Sequence, residues 1–304
     1  MFDIITAFAI ILLVIAVGYL LNRSGVLRTD ADRGVINRVV FYAALPALMF
    51  SEVSQTEVSE LLSPVIVVTL VATVLTGVAY CVISAIFLRR DLATTAAGAG
   101  ASLYVNAVNI GLPVMSYVLG ESTYMAPIII IQAVLINPLL LAGLASGGVT
   151  FSQLLRRSLL TPVMVATLAG LAFTLSPWSV PEPILAPAGI LGAAAVPLVL
   201  VSFGASLGAT RVLQVREDRP SVLTASAMKL VGMPAIAWGV GLLWGLEAEQ
   251  LYAVLILAAL PSAQNVYNFA ATYGKGTIVA RDTVFITTFA ALPVMLGIAA
   301  LFGQ

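Results

Sequence analysis

Apolar stretches of about 20 residues, the length that crosses ~30 Å of hydrocarbon, recur along this chain between short charged clusters. They predict spans at 4–22, 34–52, 63–88, 93–119, 124–146, 159–176, 184–207, 222–245, 250–273 and 282–302, ten in all. Two of them are interrupted at their centres. Leu103 to Met115 reads Leu-Tyr-Val-Asn-Ala-Val-Asn-Ile-Gly-Leu-Pro-Val-Met, and Leu260 to Asn268 reads Leu-Pro-Ser-Ala-Gln-Asn-Val-Tyr-Asn. Pro113 removes a backbone donor and frees the carbonyl of Asn109, so the chain there needs partners that hydrocarbon cannot supply. Such a break survives only beside protein or a water-filled cavity. Two broken helices in corresponding places of two halves point to a transporter's binding site.

The basic residues test the span count, because in a ten-span chain they should fall in every second loop. Arg23, Arg28, Arg33 and Arg38 flank the first connection, Arg89 and Arg90 the third, and Arg156 and Arg157 the fifth. Arg211, Arg216 and Arg219 occupy the seventh, and Lys275 and Arg281 the ninth. The intervening loops carry acids: Glu52, Glu57 and Glu60, then Glu121, then Glu182, then Glu247 and Glu249. The alternation predicts both termini outside and the odd-numbered connections in the cytoplasm. The first apolar run begins at Phe2 beside Asp3 and lacks a basic start, so it reads as a retained span and not a signal peptide.

The halves echo one another. Pro46 and Pro197 are 151 residues apart, and Gly18 and Gly170 are 152 apart. An offset of 155 sets Asn106 against Pro261, Asn109 against Gln264, and Pro138 against Pro293. Five spans per half is an odd number, so the second half, 150–304, enters the bilayer from the side opposite to the first, 1–149. The expected fold is therefore all-α and polytopic, with ten transmembrane helices in two inverted five-helix repeats.

Composition narrows the chemistry. The 304 residues are 61% hydrophobic and 9% charged, with a mean hydropathy of +1.07, too apolar for a soluble globule. There is no histidine and one cysteine, Cys81, which reads as a small packed side chain. That excludes a disulfide framework, a zinc ligand set and histidine acid–base work. No cofactor and no metal are expected, and an enzyme is the least supported class: Ser262 beside Pro261 reads as a helix cap. The charges of Arg211 to Pro220 are mixed in sign, as in a solvated linker and not a nucleic-acid patch.

With its motifs assembled, the chain resembles the auxin efflux carrier family, which includes plant PIN carriers and bacterial malate and malonate permease-like proteins. The likeness is carried by Ile36 to Phe50, by Asn109-Ile-Gly-Leu-Pro113, by Ala193 to Leu207 and by Leu260-Pro-Ser-Ala-Gln-Asn265. It touches both halves. It implies that spans 4 and 9 cross near the bilayer centre, that spans 3–5 and 8–10 form a moving transport domain, and that spans 1, 2, 6 and 7 form a scaffold. Relatives dimerise through the scaffold, which implies a homodimer through spans 2 and 7. The long cytoplasmic loop between spans 5 and 6 of the large plant carriers is lacking here.

Depth can be reckoned without the family. At 1.5 Å per residue, Asn106 lies about 21 Å along a helix from Leu92, and Pro261 about 18 Å from Glu249 on the other face. Asn137, beside Pro138, comes out at a similar depth. Asn106, Asn109, Asn137, Gln264, Asn265 and Asn268 are thus candidates for one polar substrate site, with Pro113 and Pro261 as its helix breaks. Read singly, each amide is explained as well by capping or interhelical glue as by a substrate role, but packing alone has little use for six amides and two breaks at one depth. Half-helix N-termini at the breaks suit a carboxylate, but half-helix C-termini meet there too, so dipoles alone leave the sign open. The spans read as free of Asp and Glu, which argues against a cation substrate. Lys229, about 12 Å deep in span 8, either snorkels to the interface, attracts the substrate anion or holds the span 9 break together.

The function expected is secondary transport of a small organic anion, a mono- or dicarboxylate, by alternating access in a cell (inner) membrane. A sodium- or proton-coupled carrier like the bile-acid symporters, and a membrane sensor that binds ligand without moving it, are the alternatives. Sodium stimulation would mark the first, and binding without flux the second.

Overall fold

The computed structural model describes residues 2–56, 63–112, 114–115, 124–145, 156, 159–206 and 212–302. Among these, the fold is helical. The first half contains α1 (Phe2–Arg23), α2 (Asp30–Val39), α3 (Leu45–Val53), α4 (Pro64–Ile83), α5 (Leu92–Leu103), α6 (Met125–Ile131) and α7 (Asn137–Ala145). The second contains α8 (Pro162–Thr174), α9 (Glu182–Ala193), α10 (Ala195–Ser206), α11 (Arg219–Ala227), α12 (Met233–Trp244), α13 (Ala248–Ala259), α14 (Gln264–Tyr273) and α15 (Thr277–Phe302). Among the described residues, six helical stretches are long and apolar enough to cross a membrane: Ala31–Val53, Pro64–Leu88, Pro127–Ala145, Glu182–Ser202, Arg219–Trp244 and Thr277–Phe302. Leu12–Arg23, Pro162–Thr174 and Ala248–Ala259 are shorter apolar helices. The chain is a multi-pass membrane protein.

Starts are set by short polar side chains. Ser63 accepts from the amide of Val65, Thr161 from Met164, and Asp91 from Ala93 and Thr94, satisfying donors that have no partner inside a helix. The hydroxyl of Thr94 and these amides hold the Asp91 carboxyl below the usual carboxylate range.

The prolines act one turn upstream. π turns at Val40–Ala44, Gln132–Ile136 and Met228–Gly232 each end two residues before a proline, Pro46, Pro138 and Pro234. In each, the residue preceding the proline donates its amide five residues back: Leu45 to Val40, Asn137 to Gln132, Met233 to Met228. A proline ring pushes on the carbonyl four residues before it, and a widened turn keeps the neighbouring bonds made. Ala107–Gly111 is also a π turn and stands in the same spacing to Pro113, which itself lies outside the described residues.

Packing sorts the helices into two groups. α1 lies along α10, and α3 lies along α8 and α9. The other group packs α4 on α5, α12 and α13, and sets α15 against α5, α11, α13 and α14. They meet where α10 reaches the Ala107–Gly111 turn and where α1 touches α15. The α1–α10 seam depends on two glycines. A Cβ on Gly18 would sit 2.1 Å from the Val201 carbonyl oxygen, and one on Gly204 would sit 1.9 Å from that of Ile15. Small residues let apolar helices approach backbone to backbone. The mirrored seam uses Gly170, where a Cβ would come within 3.0 Å of the Phe50 carbonyl. Phe50 and Val201 are separated by the same 151 residues as Pro46 and Pro197.

Two corrections to the sequence reading follow. α15 begins at Thr277, after a left-handed Gly276, so Asp282 falls in its second turn, where it is fully buried. A carboxylate does lie within a helix, close to its start. Cys81 is exposed, not packed.

Filling the seam will measure it. Gly204→Val should destabilise by at least ~1–3 kcal/mol through overpacking, whereas Gly239→Ala, with open space around its α-carbon, should be neutral or stabilise by up to ~1 kcal/mol. Thermal unfolding of both purified variants checks the sign of each.

Candidate functional site

The two interrupted helices unwind against each other. α5 ends at Leu103 and the chain runs extended through Tyr104 and Val105; α13 ends at Ala259 and the chain runs extended from Leu260 to Ala263. The break in the first half therefore lies upstream of the site expected from Pro113, a position outside the described residues. In the second half Pro261 acts as expected, since a residue before proline is driven to extended backbone and Leu260 has φ −53° and ψ 143°.

Val105 and Ser262 form a single antiparallel bridge. Asn106 donates its amide to the Pro261 carbonyl at 2.9 Å, and Ala263 donates to the Tyr104 carbonyl at 3.1 Å. Side chains complete the ring of bonds. Gln132 Nε2 donates to the Val105 carbonyl at 3.1 Å, and the Ser262 amide donates to Thr287 Oγ1 at 3.1 Å. Ser262 does not cap α14: the N-cap is Ala263, with no side-chain bond. The first amides of α14 are thus left without a side-chain acceptor.

The six amides divide. Asn106, 8% exposed, and Gln264 line one small cavity with Thr288, Ile110, Val284 and two residues of α10, Val199 and Leu200. At about 10 Å³ it has room for roughly one water. Asn137 and Asn265 instead lie within reach of the hydroxyl of Tyr104, a buried ring at the end of α5. Asn268 is exposed, one turn along α14 from Gln264. The Asn109 backbone belongs to the Ala107–Gly111 turn, and its side chain lies outside what is described. A second cavity of about 150 Å³ adjoins the first through Ile110 and Thr288 and runs between Leu12 and Ile15 of α1 and Phe289, Leu292 and Met295 of α15.

Lys229 lines neither cavity. Its side chain is fully buried rather than extended to an interface, and Nζ donates to the Ala258 carbonyl at 3.0 Å. Tyr104, Gln132, Thr287 and Thr288 are the residues the sequence reading missed. Lone hydroxyls in apolar helices ordinarily bond their own backbone, as Thr69, Thr73 and Thr76 do in α4, so nothing set Thr287 and Thr288 apart; Gln132 carried the same signal as the six amides, an amide inside an apolar run.

A profile of the family described as "Membrane transport protein" matches residues 3–147 and 149–299. The chain belongs to the auxin efflux carrier family of membrane transport proteins. It is 29% identical over 281 residues to a protein of Rhizobium meliloti (strain 1021) named "Putative malonate transporter", covering 87% of this chain and 85% of that one. It is 26% identical over 290 residues to a protein of Methanothermobacter thermautotrophicus named "Uncharacterized transporter", covering 93% of each. This family member is a transporter, not an enzyme.

The bond from Ser262 to Thr287 is separable from the cavity. Thr287→Val keeps the shape and removes the acceptor, leaving a buried amide unpaired, which should destabilise by ~1–3 kcal/mol. Amide hydrogen exchange at Ser262 should quicken, while exchange in α1 stays unchanged.

Proposed function

We propose that this chain is a secondary transporter of small organic carboxylate anions, working by alternating access. Its ten spans form two inverted five-helix repeats, 1–149 and 150–304, with spans 4 and 9 crossing. Spans 1, 2, 6 and 7 are the scaffold; spans 3–5 and 8–10 are the transport domain that shifts against it. The protein sits in the cell (inner) membrane with both termini outside and pairs as a homodimer through spans 2 and 7.

The observation that carries the reading is the crossing itself, where Asn106 from one broken helix and Gln264 from the other line a single cavity against Leu200 of α10. A site built between the two packed groups can be opened from either side by their relative movement. The reciprocal seams, Gly18 on Val201 and Gly170 on Phe50, support the inverted repeat, since a pseudo-two-fold axis exchanges their members. The exposed apolar side chains of α2, the Val40–Ala44 turn and α9, among them Val39, Phe41, Tyr42, Ile184 and Ile190, support lipid or a second copy around the scaffold. In the bound state Asn106, Gln264 and Thr288 donate to the carboxylate, joined by the open amides of α14. Asn109, Asn137, Asn265 and Asn268 belong to the wider polar lining, Asn137 and Asn265 by holding Tyr104 in place.

Purified protein in liposomes, assayed with labelled acetate, malonate, malate and benzoate, tests this. Asn106→Ala and Gln264→Ala should each lower flux about tenfold, equivalent to ~1.4 kcal/mol, with Gly239→Ala unaffected. Wild-type protein that moves none of the anions, with or without a sodium or proton gradient, would end the proposal.

A further inference from the structure

Lys229 has no use in the cavity, yet it is the most deeply placed basic side chain described. It occupies the second position of the Met228–Gly232 π turn, which is enclosed by α4, α5, α13 and α15. Nζ bonds the Ala258 carbonyl at 3.0 Å and approaches Met233 Sδ at 3.0 Å. The ion pairs among the described residues are Arg90 with Asp218 and Arg281 with Asp282, so no carboxylate is seen to neutralise Lys229. Its partner is the last turn of α13, where the unpaired carbonyls concentrate the negative end of the helix dipole.

Among the described residues, three helix ends meet where the two segments unwind. The C-termini of α5 and α13 each bring about −0.5 of a charge, and the N-terminus of α14 brings about +0.5. By dipoles alone the sum is negative, which disfavours an anion. At α5 the frayed carbonyls are met by neutral donors, the Ala263 amide and Gln132 Nε2. At α13 the donor is the side chain of a lysine.

We propose that Lys229 is a positioning residue that fixes the sign of the field at the crossing: it acts through the α13 C-terminus, offsets the negative end there, leaves the α14 N-terminus to dominate, and so makes the site select anions. The inference rests on the transport reading above. It separates Lys229 from the groups that touch substrate, because Lys229 lines neither cavity while its ammonium bonds the last turn of α13. The charge, not the packing of the butyl stem, is what the site requires.

The test uses full-length protein in liposomes with labelled malonate, acetate and benzoate, comparing wild type, Lys229→Met and Lys229→Arg, with melting temperatures in parallel. The expected result is a KM raised at least about tenfold in Lys229→Met, with the maximal rate changed less than KM, and recovery to within about threefold of wild type in Lys229→Arg. A wild-type KM in folded Lys229→Met overturns the proposal, as does Lys229→Arg failing to outperform it while equally stable. A second measurement needs no transported probe. The only other lysine is Lys275, so protein carrying 13Cε-lysine gives two resonances, and Lys229→Arg assigns them. A charged ammonium for Lys229 at pH 7 supports the inference; a neutral amine overturns it. Should wild type move none of the three anions, it is the transport reading that fails, and the lysine resonance still decides the charge at α13.

Discussion

An unpaired amide or carbonyl in hydrocarbon costs several kcal/mol, and a helix that unwinds halfway across a bilayer creates several at once. Here the two unwound segments answer for each other. The amides of Asn106 and Ala263 go to the carbonyls of Pro261 and Tyr104, so the break in each half is tolerable because the other half is broken at the same depth. Neither segment could open alone. This couples the halves more tightly than side-chain packing would, and it explains why Val254 to Leu260 is fully or almost fully buried: a crossing made of backbone has to be kept from lipid on every side.

The same shortage of water accounts for the π turns. In a soluble helix a freed carbonyl can turn to solvent; here the helix widens instead, and the amide before each proline reaches back five residues. Pro293 is the counterpart of Pro138 at an offset of 155, yet it sits inside an uninterrupted α15. The chain around Pro197 takes a third course, breaking at Ala194 between α9 and α10. Prolines at matching offsets are therefore accommodated differently by their helices, and that gives the meeting point of the two unwound segments two different walls, one with a π turn and one with a straight helix.

The apolar runs, the alternating loop charges and the central amides were all legible in the chain, because each is a property of position along it. What could not be read was direction around a helix. Gln264 and Asn265 are neighbours in sequence, but a turn of about 100° between them sends one into the cavity and the other to Tyr104. The break before Asn106 was hidden for a related reason. Tyr104 and Val105 are ordinary residues for an apolar helix, and their extended backbone is imposed by the partner strand at Ser262. Asp282 was misjudged because its burial depends on a loop nearly 70 residues away in sequence.

That loop shows the charges of the connections tying helices together. Arg90 reaches across from the start of α5 to Asp218 at 2.6 Å, to the Glu217 carbonyl and to Ser221. Asp282 takes the amide of Leu213 at 2.8 Å and Arg219 takes its carbonyl at 2.8 Å, holding a leucine at φ +57°, a conformation that β-carbons disfavour. Both clamps belong to the group containing α5, α11 and α15, while the chain that arrives at Leu213 comes from α10 in the other group. The connection is thus fastened to one body from Leu213 onward. A strained leucine held from two sides marks where the connection joins that body.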